Sequence, residues 1–428
     1  MLAPSYLEAS GQKMKTSRRT FLTGASALAA AAVSQSAHAQ NVIDSILNSN
    51  RRGWGDQFDA QVSDGGQVAT TRPIFSPDTL VYLQDAIVRY QDIAARGGWP
   101  MVPDQKKLQL GVVDPDVDVL RQRLMISGDL SERAGMSPSF DSYVDAALKR
   151  FQNRHGIPAD GVTGPYTYRS LNASAQVRLG QLERNLGRLG EKVGTTANRY
   201  VMVNIPAAEI EAVENGRVVS RHVAVVGKID RQTPILDSNI HQIIVNPYWN
   251  APESIVRRDI IPLMRQNPNY LTENGIRILG PNGEVDPLTI NWQTEEAAKL
   301  RFRQDPGRIN AMASVKIDFH NPHAVYMHDT PQQSLFANQE RFHSSGCVRV
   351  QNVRDLVTWI LRETPGWDRN RFEQTIINDA DVAVAVTNPV PVHFSYVSAW
   401  STSDGVVQFR DDIYALDGSS ELQISTAT

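Results

Sequence analysis

The sequence predicts an α+β protein in which a helical part is followed by a strand-rich part. In residues 77–192, apolar side chains recur every three or four positions, which is the spacing of amphipathic helices. From Tyr200 onward, short segments rich in Val and Ile alternate with polar residues, which is typical of strands. The chain has 428 residues and is 41% hydrophobic, so it has enough apolar material for the cores of two or three domains.

The helical part opens with a predicted scaffold segment at residues 40–105. Its clearest element is a helix over Pro77–Ala95, where apolar residues recur at intervals of three and four. A weaker helical stretch lies at residues 44–48, and residues 62–71 are predicted to be a loop. Residues 176–195 predict a linker helix with a leucine stripe, which favours packing between domains over a site.

Residues 106–175 predict a compact module of three helices. The predicted helices cover residues 117–128, 143–155 and 166–171. The first is expected to begin at Asp116 or Asp118, because a carboxylate there can accept hydrogen bonds from the free N–H groups of the first turn. Turn-forming residues are dense between the second and third helices, at residues 156–165.

The strand-rich part is predicted from short alternating segments. These segments are residues 200–204, 209–214, 218–226, 240–245, 315–319, 324–328, 382–386, 392–400 and 406–409. The dipeptide Asn215-Gly216 separates two of them and favours a two-residue hairpin turn. Residues 256–270 and 353–363 are predicted to be helical.

The N-terminus carries the features of an export signal. A twin-arginine pattern, Ser-Arg-Arg-Thr-Phe-Leu, occupies residues 17–22 and precedes a run of small and apolar residues. The sequence Ala-His-Ala at residues 37–39 fits a cleavage site, so residues 1–39 are predicted to be a twin-arginine signal peptide. Met14 is an alternative start. An uncleaved anchor is the other interpretation, but the apolar run is shorter than the roughly 20 residues that a spanning helix needs.

Charge and cysteine content exclude some classes of function. The net charge of -3 comes without a clustered basic face, which argues against nucleic-acid binding. Cys347 is the single cysteine. An exported chain usually pairs its cysteines or omits them, so a lone cysteine indicates a chemical role. Zinc is not expected, because one cysteine and scattered histidines lack ligand spacing, and no cofactor is expected.

The stretch around Cys347 contains residues that fit nucleophilic catalysis. A thiol with an ordinary pKa of about 8.5 is mostly protonated at neutral pH, so it needs a nearby base. His328, at the end of a predicted strand, is expected to be that base, and His343 is a rival. Gly346 allows the backbone to approach a substrate carbonyl closely. The amides of Gly346 and Cys347 are expected to stabilise an oxyanion.

The ring of His328 needs a partner that orients it. Asp329 is adjacent in the sequence, but neighbours in a strand point to opposite faces. A backbone carbonyl is therefore the expected partner.

The motif around Cys347 resembles the signature of the L,D-transpeptidase catalytic domain. That signature has a histidine at a strand end, a loop, and then Ser-x-Gly-Cys-x-Arg, which here is Ser-Ser-Gly-Cys-Val-Arg at residues 344–349. Many members have histidine where this chain has Ser345, and the serine is typical of a larger branch with a capping insertion. Other segments that resemble this branch are residues 245–255, 303–307, 392–393 and 409–414.

Residues 106–175 resemble the peptidoglycan-binding domain found in the same branch. The resemblance lies in residues 120–124, 151–156, 160–165 and 171–172. It implies a small three-helix domain that binds the cell wall. The alternative is a helical domain that is retained for packing against the catalytic part.

The resemblance implies an architecture and a reaction. A mainly-β catalytic domain is expected at residues 196–417, with a capping insertion at about 253–310 and a flexible tail at 418–428. Cys347 is expected to attack the stem-peptide carbonyl before the terminal D-Ala and to form a thioester, while His328 transfers the proton. The residues assigned to the oxyanion or the substrate are Gly346, Ser345, Arg349, Tyr326 and Trp249. Arg349 is expected either to hold a substrate carboxylate or to brace the motif.

The expected product is a 3–3 cross-link between stem peptides, made in the periplasm. The expected partners are peptidoglycan stem peptides, with other wall-synthesis enzymes possible, no nucleic acid and no membrane span after signal cleavage. The alternatives are a hydrolase of the same fold, such as an L,D-carboxypeptidase or an enzyme that cleaves lipoprotein–wall links, an enzyme that attaches a lipoprotein to the wall, and an inactive wall-binding protein. The resemblance also implies acylation of Cys347 by carbapenems.

Overall fold

The computed structural model of the protein describes residues 71–423. The predicted signal peptide at 1–39, the helical stretch at 44–48 and nearly all of the loop at 62–71 lie outside the described residues. Within residues 71–423, no helix combines the length and the apolar character that a membrane span requires.

The first part of the described chain is helical. Its helices are α1 (Pro77–Ala95), α2 (Pro115–Ile126), α3 (Ser142–Arg154), α4 (Pro165–Asn172) and α5 (Ala175–Lys192). The structure confirms the predicted helix over Pro77–Ala95 at both ends. Leu83 of α1 and Leu182 of α5 are fully buried in one apolar core, so these two helices form a layer against the strands that follow.

Helices α2, α3 and α4 surround a separate apolar core. Leu120, Leu124 and Phe151 are fully buried there. Helix α2 is capped by Asp114, whose carboxylate accepts a hydrogen bond from the N–H of Asp116 at 2.9 Å, so the predicted cap at Asp116 or Asp118 is wrong. The helix begins early because Pro115 suits the first helical position, where an N–H is not needed.

The second part of the chain is rich in strands. In chain order they are β1 (Arg199–Asn204), β2 (Glu209–Glu214), β3 (Arg217–Gly227), β4 (Leu236–Val245), β5 (Trp249–Ala251), β6 (Ile276–Gly280), β7 (Gly283–Val285), β8 (Arg301–Gln304), β9 (Val315–Phe319), β10 (Met327–His328), β11 (Phe342–Ser344), β12 (Val348–Val350), β13 (Val382–Ser395), β14 (Ala399–Ser401) and β15 (Val407–Phe409). Together with the helices, they confirm the predicted α+β class.

The main sheet of the described chain has the strand order β11-β3-β12-β10-β9-β4-β13-β1-β2. Strand β2 also pairs with β3, so the sheet closes on itself. Asn215 and Gly216 both have positive φ between these two strands, which confirms the predicted hairpin turn. Strand β10 has two residues, so the predicted strand at 324–328 is shorter in the structure.

Two helices follow the last strand of the candidate motif. Helix α6 (Val353–Leu361) buries Leu356, Val357 and Ile360 in the core of the main sheet. Helix α7 (Arg369–Ile377) was not predicted. Phe372 is its buried residue, so the helix lacks the apolar stripe that reveals a helix in a sequence.

An insertion between β4 and β9 forms a small subdomain, here called the cap (residues 249–304). Its strands have the order β5-β8-β6-β7, and Val256, Ile260 and Phe302 are buried in its own core. The predicted helix at 256–270 is broken in the structure. It consists of short helical turns at Glu253–Ile255, Val256–Ile260, Ile261–Gln266 and Tyr270–Glu273. The break after Gln266 precedes Pro268, which disfavours the helical conformation of Asn267.

The end of the described chain packs against the helical part. Glu421 accepts a hydrogen bond from the backbone N–H of Ser174 at 2.8 Å, and Leu422 is buried. Residues 418–423 therefore make contacts with the folded chain, and the flexibility expected of the tail stays a prediction. Residues 424–428 lie outside the described residues.

The three-helix module lies directly against the strand-rich part. Arg154 of α3 donates to the backbone carbonyl of Val407 at 3.3 Å, and Arg169 of α4 forms an ion pair with Asp411 at 2.6 Å. The ring of His155 stacks with Phe409 at a centroid distance of 5.4 Å. These contacts agree with the packing role that the sequence left open for this module.

Candidate active site

The sheet brings Cys347 next to the strand that carries His328. Strands β10 and β12 are parallel neighbours, and their register pairs Met327 with Val348. The residue before each of these is Tyr326 on one strand and Cys347 on the other, so the two lie side by side. The N–H of Val348 donates to the carbonyl of Tyr326 at 3.0 Å and fixes this arrangement.

His328 is buried and its ring is held in one tautomer. Its Nδ1 lies 2.5 Å from the backbone carbonyl of Asp329, which confirms the prediction that a backbone carbonyl orients the ring. A carbonyl only accepts, so the proton is on Nδ1 and the lone pair is on Nε2. The Asp329 carboxylate instead accepts from the hydroxyl of Ser314 at 2.5 Å.

The electrostatic environment keeps both candidate groups neutral. Burial, followed by the positive charge of Arg349, lowers the pKa of His328 to about 3. Burial raises the pKa of the Cys347 thiol to about 11, although the Tyr326 backbone and hydroxyl oppose this rise. At neutral pH the resting pair is therefore a thiol and a neutral imidazole rather than a thiolate and an imidazolium.

The pH dependence of thiol alkylation tests this resting state. Iodoacetamide reacts with the thiolate, so its rate with Cys347 should rise about tenfold per pH unit from pH ~7 to ~10 as the thiolate fraction grows toward a pKa of about 11. The imidazole stays neutral over this range, because its pKa of about 3 lies far below it. A rate plateau that begins below pH ~7 would show instead a preformed thiolate–imidazolium pair.

Tyr326 lies between the candidate nucleophile and the cap. Its hydroxyl interacts with the side chains of Cys347 and Trp249, and burial raises its pKa well above the usual value, so it stays protonated. The ammonium of Lys316 lies 4.6 Å from the centre of the Tyr326 ring. Trp249 is in β5, the first strand of the cap. Tyr326 therefore connects the thiol to the cap.

The loop before Cys347 depends on a glycine. Gly346 has a φ of +112°, which favours glycine. Its N–H donates to the hydroxyl of Ser344 at 3.2 Å in the unliganded site, and its expected role as an oxyanion donor stays a prediction. The N–H of Cys347 makes no hydrogen bond within residues 71–423 and remains available.

Hydrogen bonds from Thr233 and Tyr414 support this loop. The hydroxyl of Thr233 donates to the carbonyl of Gly346 at 2.8 Å. Tyr414 accepts from the N–H of Thr233 at 3.0 Å and donates to the carbonyl of Gly227 at 2.8 Å. A Cβ at Gly227 would lie 2.2 Å from the carbonyl oxygen of Arg231, so a side chain there would displace the loop.

Ser345 and Arg349 lie on either side of Cys347 in the sequence, and each is hydrogen-bonded to a different segment. The hydroxyl of Ser345 accepts a hydrogen bond from Arg231 at 3.0 Å, and the same Arg231 nitrogen donates to Asp259 of the cap at 2.6 Å. Arg349 donates to Gln332 at 2.7 Å, and its buried Nε has no partner within residues 71–423. Arg349 is therefore held by Gln332 and keeps unused donor capacity, and both roles expected for it stay predictions.

The rival base is placed elsewhere. His343 is exposed, and its Nε2 lies 2.9 Å from the carbonyl of Glu340. No interaction of His343 with Cys347 occurs among the described residues. Within residues 71–423, no cluster of three or more His, Cys, Asp or Glu side chains could hold a metal ion.

Sequence reasoning missed several residues that the structure places at the site. They are Arg231, Thr233, Asp259, Lys316 and Tyr414. Tyr414 lies in a segment that resembles the larger branch, but nothing in the sequence indicates that these residues meet.

Comparisons with known proteins identify two domains in this chain. Residues 198–377 match the YkuD family model, described as an L,D-transpeptidase catalytic domain. Residues 113–171 match a second model, described as "Putative peptidoglycan binding domain". A curated relative from Haemophilus influenzae, named "Putative L,D-transpeptidase", is 33% identical over 219 residues, which are 51% of this chain and 44% of the relative. The match thus spans less than half of that relative.

Solved structures of L,D-transpeptidases are also similar, at lower identity. One from Xylanimonas cellulosilytica, of residues 123–326, is 16% identical, covers 68% of this chain and 99% of its own, and has a TM-score of 0.22. One from Mycobacterium smegmatis is 13% identical, covers 46% and 59%, and has a TM-score of 0.24. The two domains are therefore identified from the family models alone. The chain therefore carries a YkuD L,D-transpeptidase catalytic domain together with a peptidoglycan-binding domain.

Proposed function

We propose that this protein forms 3–3 cross-links between peptidoglycan stem peptides through a thioester on Cys347, with release of D-Ala. The observation that supports the proposal is the pairing of the parallel strands β10 and β12. It sets Cys347 opposite Tyr326, two residues from His328, whose lone pair is on Nε2. The peptidoglycan-binding domain indicates peptidoglycan as the substrate.

The first half of the reaction makes the acyl-enzyme. The Cys347 sulfur attacks the carbonyl between the diamino acid and the terminal D-Ala, while His328 Nε2 takes the thiol proton. The new oxyanion is next to the free N–H of Cys347, a donor of the kind that stabilises such charge. The C–N bond then breaks, His328 returns the proton to the leaving amine, and D-Ala departs.

The second half transfers the acyl group. The side-chain amine of a diamino acid on another stem attacks the thioester carbonyl, and His328 accepts its proton. The C–S bond breaks, the amide forms, and the proton returns to the Cys347 sulfur. The thioester conserves the energy of the old peptide bond, so no ATP is needed.

The neutral resting pair suits this scheme. A buried thiol at a pKa of about 11 is a poor thiolate source, so proton removal must accompany attack. The pKa of about 3 keeps His328 unprotonated and ready to accept that proton. Tyr326 and the cap stand beside the thiol and reduce the access of water to the thioester.

The place of action is part of the proposal. Domains that act on peptidoglycan indicate an extracytoplasmic location. We place the protein in the periplasm on the basis of the twin-arginine pattern at residues 17–22, which lies outside the described residues.

Incubation with purified disaccharide-tetrapeptide tests the proposal. The product of the intact protein should be a dimer formed with loss of D-Ala, and mass spectrometry should detect an acyl adduct on Cys347. The Cys347→Ala variant should give neither. Tripeptide without dimer would contradict cross-linking and favour an L,D-carboxypeptidase, and no turnover would favour a wall-binding protein.

A further inference from the structure

A cavity of about 290 Å³ lies next to the loop that carries Cys347. Its wall includes Ser345 and Gly346, the two residues directly before the nucleophile. Arg231 of the β3–β4 loop, Arg258 of the cap and His323 of the loop before β10 line the other sides. The loop before Cys347 and three segments that are distant from it in the sequence therefore line one space.

The lining of this cavity is basic. It contains two arginines and a histidine, and no acidic side chain among the described residues. Arg231 forms an ion pair with Asp259 at 2.6 Å, which compensates its charge. Arg258 is exposed and makes no ion pair or hydrogen bond within residues 71–423. Arg258 is thus the uncompensated positive charge of the cavity.

The backbone holds Arg258 in place although its side chain is free. It lies in the helical turn Val256–Ile260, whose Val256 and Ile260 are buried in the cap. The next residue, Asp259, is tied to Arg231, and Arg231 is tied to Ser345. The backbone of Arg258 is therefore held relative to the nucleophile loop, by packing on one side and by the Asp259–Arg231 ion pair on the other.

The donor substrate carries a charge close to its scissile bond. In a peptide that ends in D-Ala, the terminal carboxylate carbon is three bonds from the scissile carbonyl carbon, about 4 Å away. When that carbonyl is at Cys347, the carboxylate must lie in the immediate surroundings of the thiol. A guanidinium is well suited to hold a carboxylate there, because its planar donors can bind both oxygens.

We propose that Arg258 of the cap binds the terminal carboxylate of the donor stem peptide and thereby selects chains that end one residue after the scissile bond. This inference rests on the proposed function, since it names the part of the donor that the cavity receives. Arg231 positions Arg258 through Asp259, and Ser345 joins this bridge to the nucleophile loop. The cap therefore serves as a recognition element as well as a cover.

The test measures binding without turnover. In the Cys347→Ala background, the dissociation constant is measured by calorimetry for the tetrapeptide and for the same tetrapeptide with a C-terminal amide. The free acid should bind about tenfold more tightly, a factor typical of a charge-assisted hydrogen bond at a partly exposed site. Adding Arg258→Gln should remove most of this preference, and Arg258→Lys should retain part of it.

A matched variant controls for general charge effects. Arg301→Gln removes an exposed arginine of the same cap that does not line the cavity, and it should keep the full preference for the free acid. Equal binding of acid and amide, or a preference that survives Arg258→Gln, would overturn the proposal.

A third ligand tests which of the two carboxylates of the donor Arg258 binds. The tetrapeptide with lysine in place of diaminopimelate lacks the carboxylate on the diamino acid side chain. If this change, rather than amidation, removes the effect of Arg258, the assignment to the donor terminus is wrong. The dimer assay on the intact enzyme reports on the proposed function separately, because it does not depend on Arg258 preferring one terminus.

Discussion

Replacing His328 with glutamine is expected to slow the acylation of Cys347 by the donor tetrapeptide by about 10²–10⁴-fold, the range typical of a general base. The thiol is neutral in the resting enzyme because burial raises its pKa to about 11. Attack at neutral pH therefore requires a group that removes the proton, and His328 presents its Nε2 lone pair for this. Intact-protein mass spectrometry at a series of times measures the acylation rate.

Two controls separate the loss of a base from the loss of the fold. Alkylation of His328→Gln by iodoacetamide at pH ~10 should proceed at nearly the rate of the unmodified protein, because hydroxide removes the thiol proton there. His343→Gln changes the exposed rival histidine and should keep normal acylation. Normal acylation in His328→Gln combined with a large loss in His343→Gln would reverse the assignment.

Replacing Asp129 with alanine is expected to destabilise the protein by about 3–5 kcal/mol, the cost of leaving a buried charge without its partner. Asp129 and Arg154 form two hydrogen bonds of 2.7 Å, and their side chains are 4% and 5% exposed. Removing the carboxylate leaves the Arg154 guanidinium buried against Phe151 and Phe409. Unfolding of the full chain by urea measures the loss.

A surface pair and a double variant provide the comparison. Asp145→Ala breaks the half-exposed pair with Lys149 on α3 and should cost less than about 1 kcal/mol. Asp129→Leu combined with Arg154→Leu removes both charges and should recover much of the stability. If Asp129→Ala cost as little as Asp145→Ala, the buried pair would not be what holds this module together.

The elements that the sequence predicted well have a local signal. Helix α1 begins at Pro77 and carries an apolar stripe, and both features are visible without knowledge of the fold. Helix α7 has one buried residue, Phe372, so its sequence has no stripe to detect. The sequence does not predict the N-cap residue of α2 correctly, because the acidic residues at 114, 116 and 118 all fit an N-cap.

The candidate site was predictable only where its residues are close in the sequence. The motif at 344–349 pointed to Cys347, and strand geometry favoured a backbone carbonyl as the partner of His328. The bridge from Asp259 through Arg231 to Ser345 joins segments 28 and 114 residues apart, so no local pattern reveals it. Likewise, the use of the Gly346 N–H by Ser344 depends on the loop conformation.

The support of the nucleophile loop by Tyr414 has a consequence for biosynthesis. The hydroxyl of Tyr414 holds Thr233 and Gly227, and Thr233 in turn holds the carbonyl of Gly346. Tyr414 follows Cys347 by a long stretch of chain that includes β13 and the β14–β15 hairpin. A nascent polypeptide on the ribosome therefore lacks this support until residue 414 has emerged. The loop before Cys347 therefore gains its full set of supporting hydrogen bonds only after residues 382–409 have been translated.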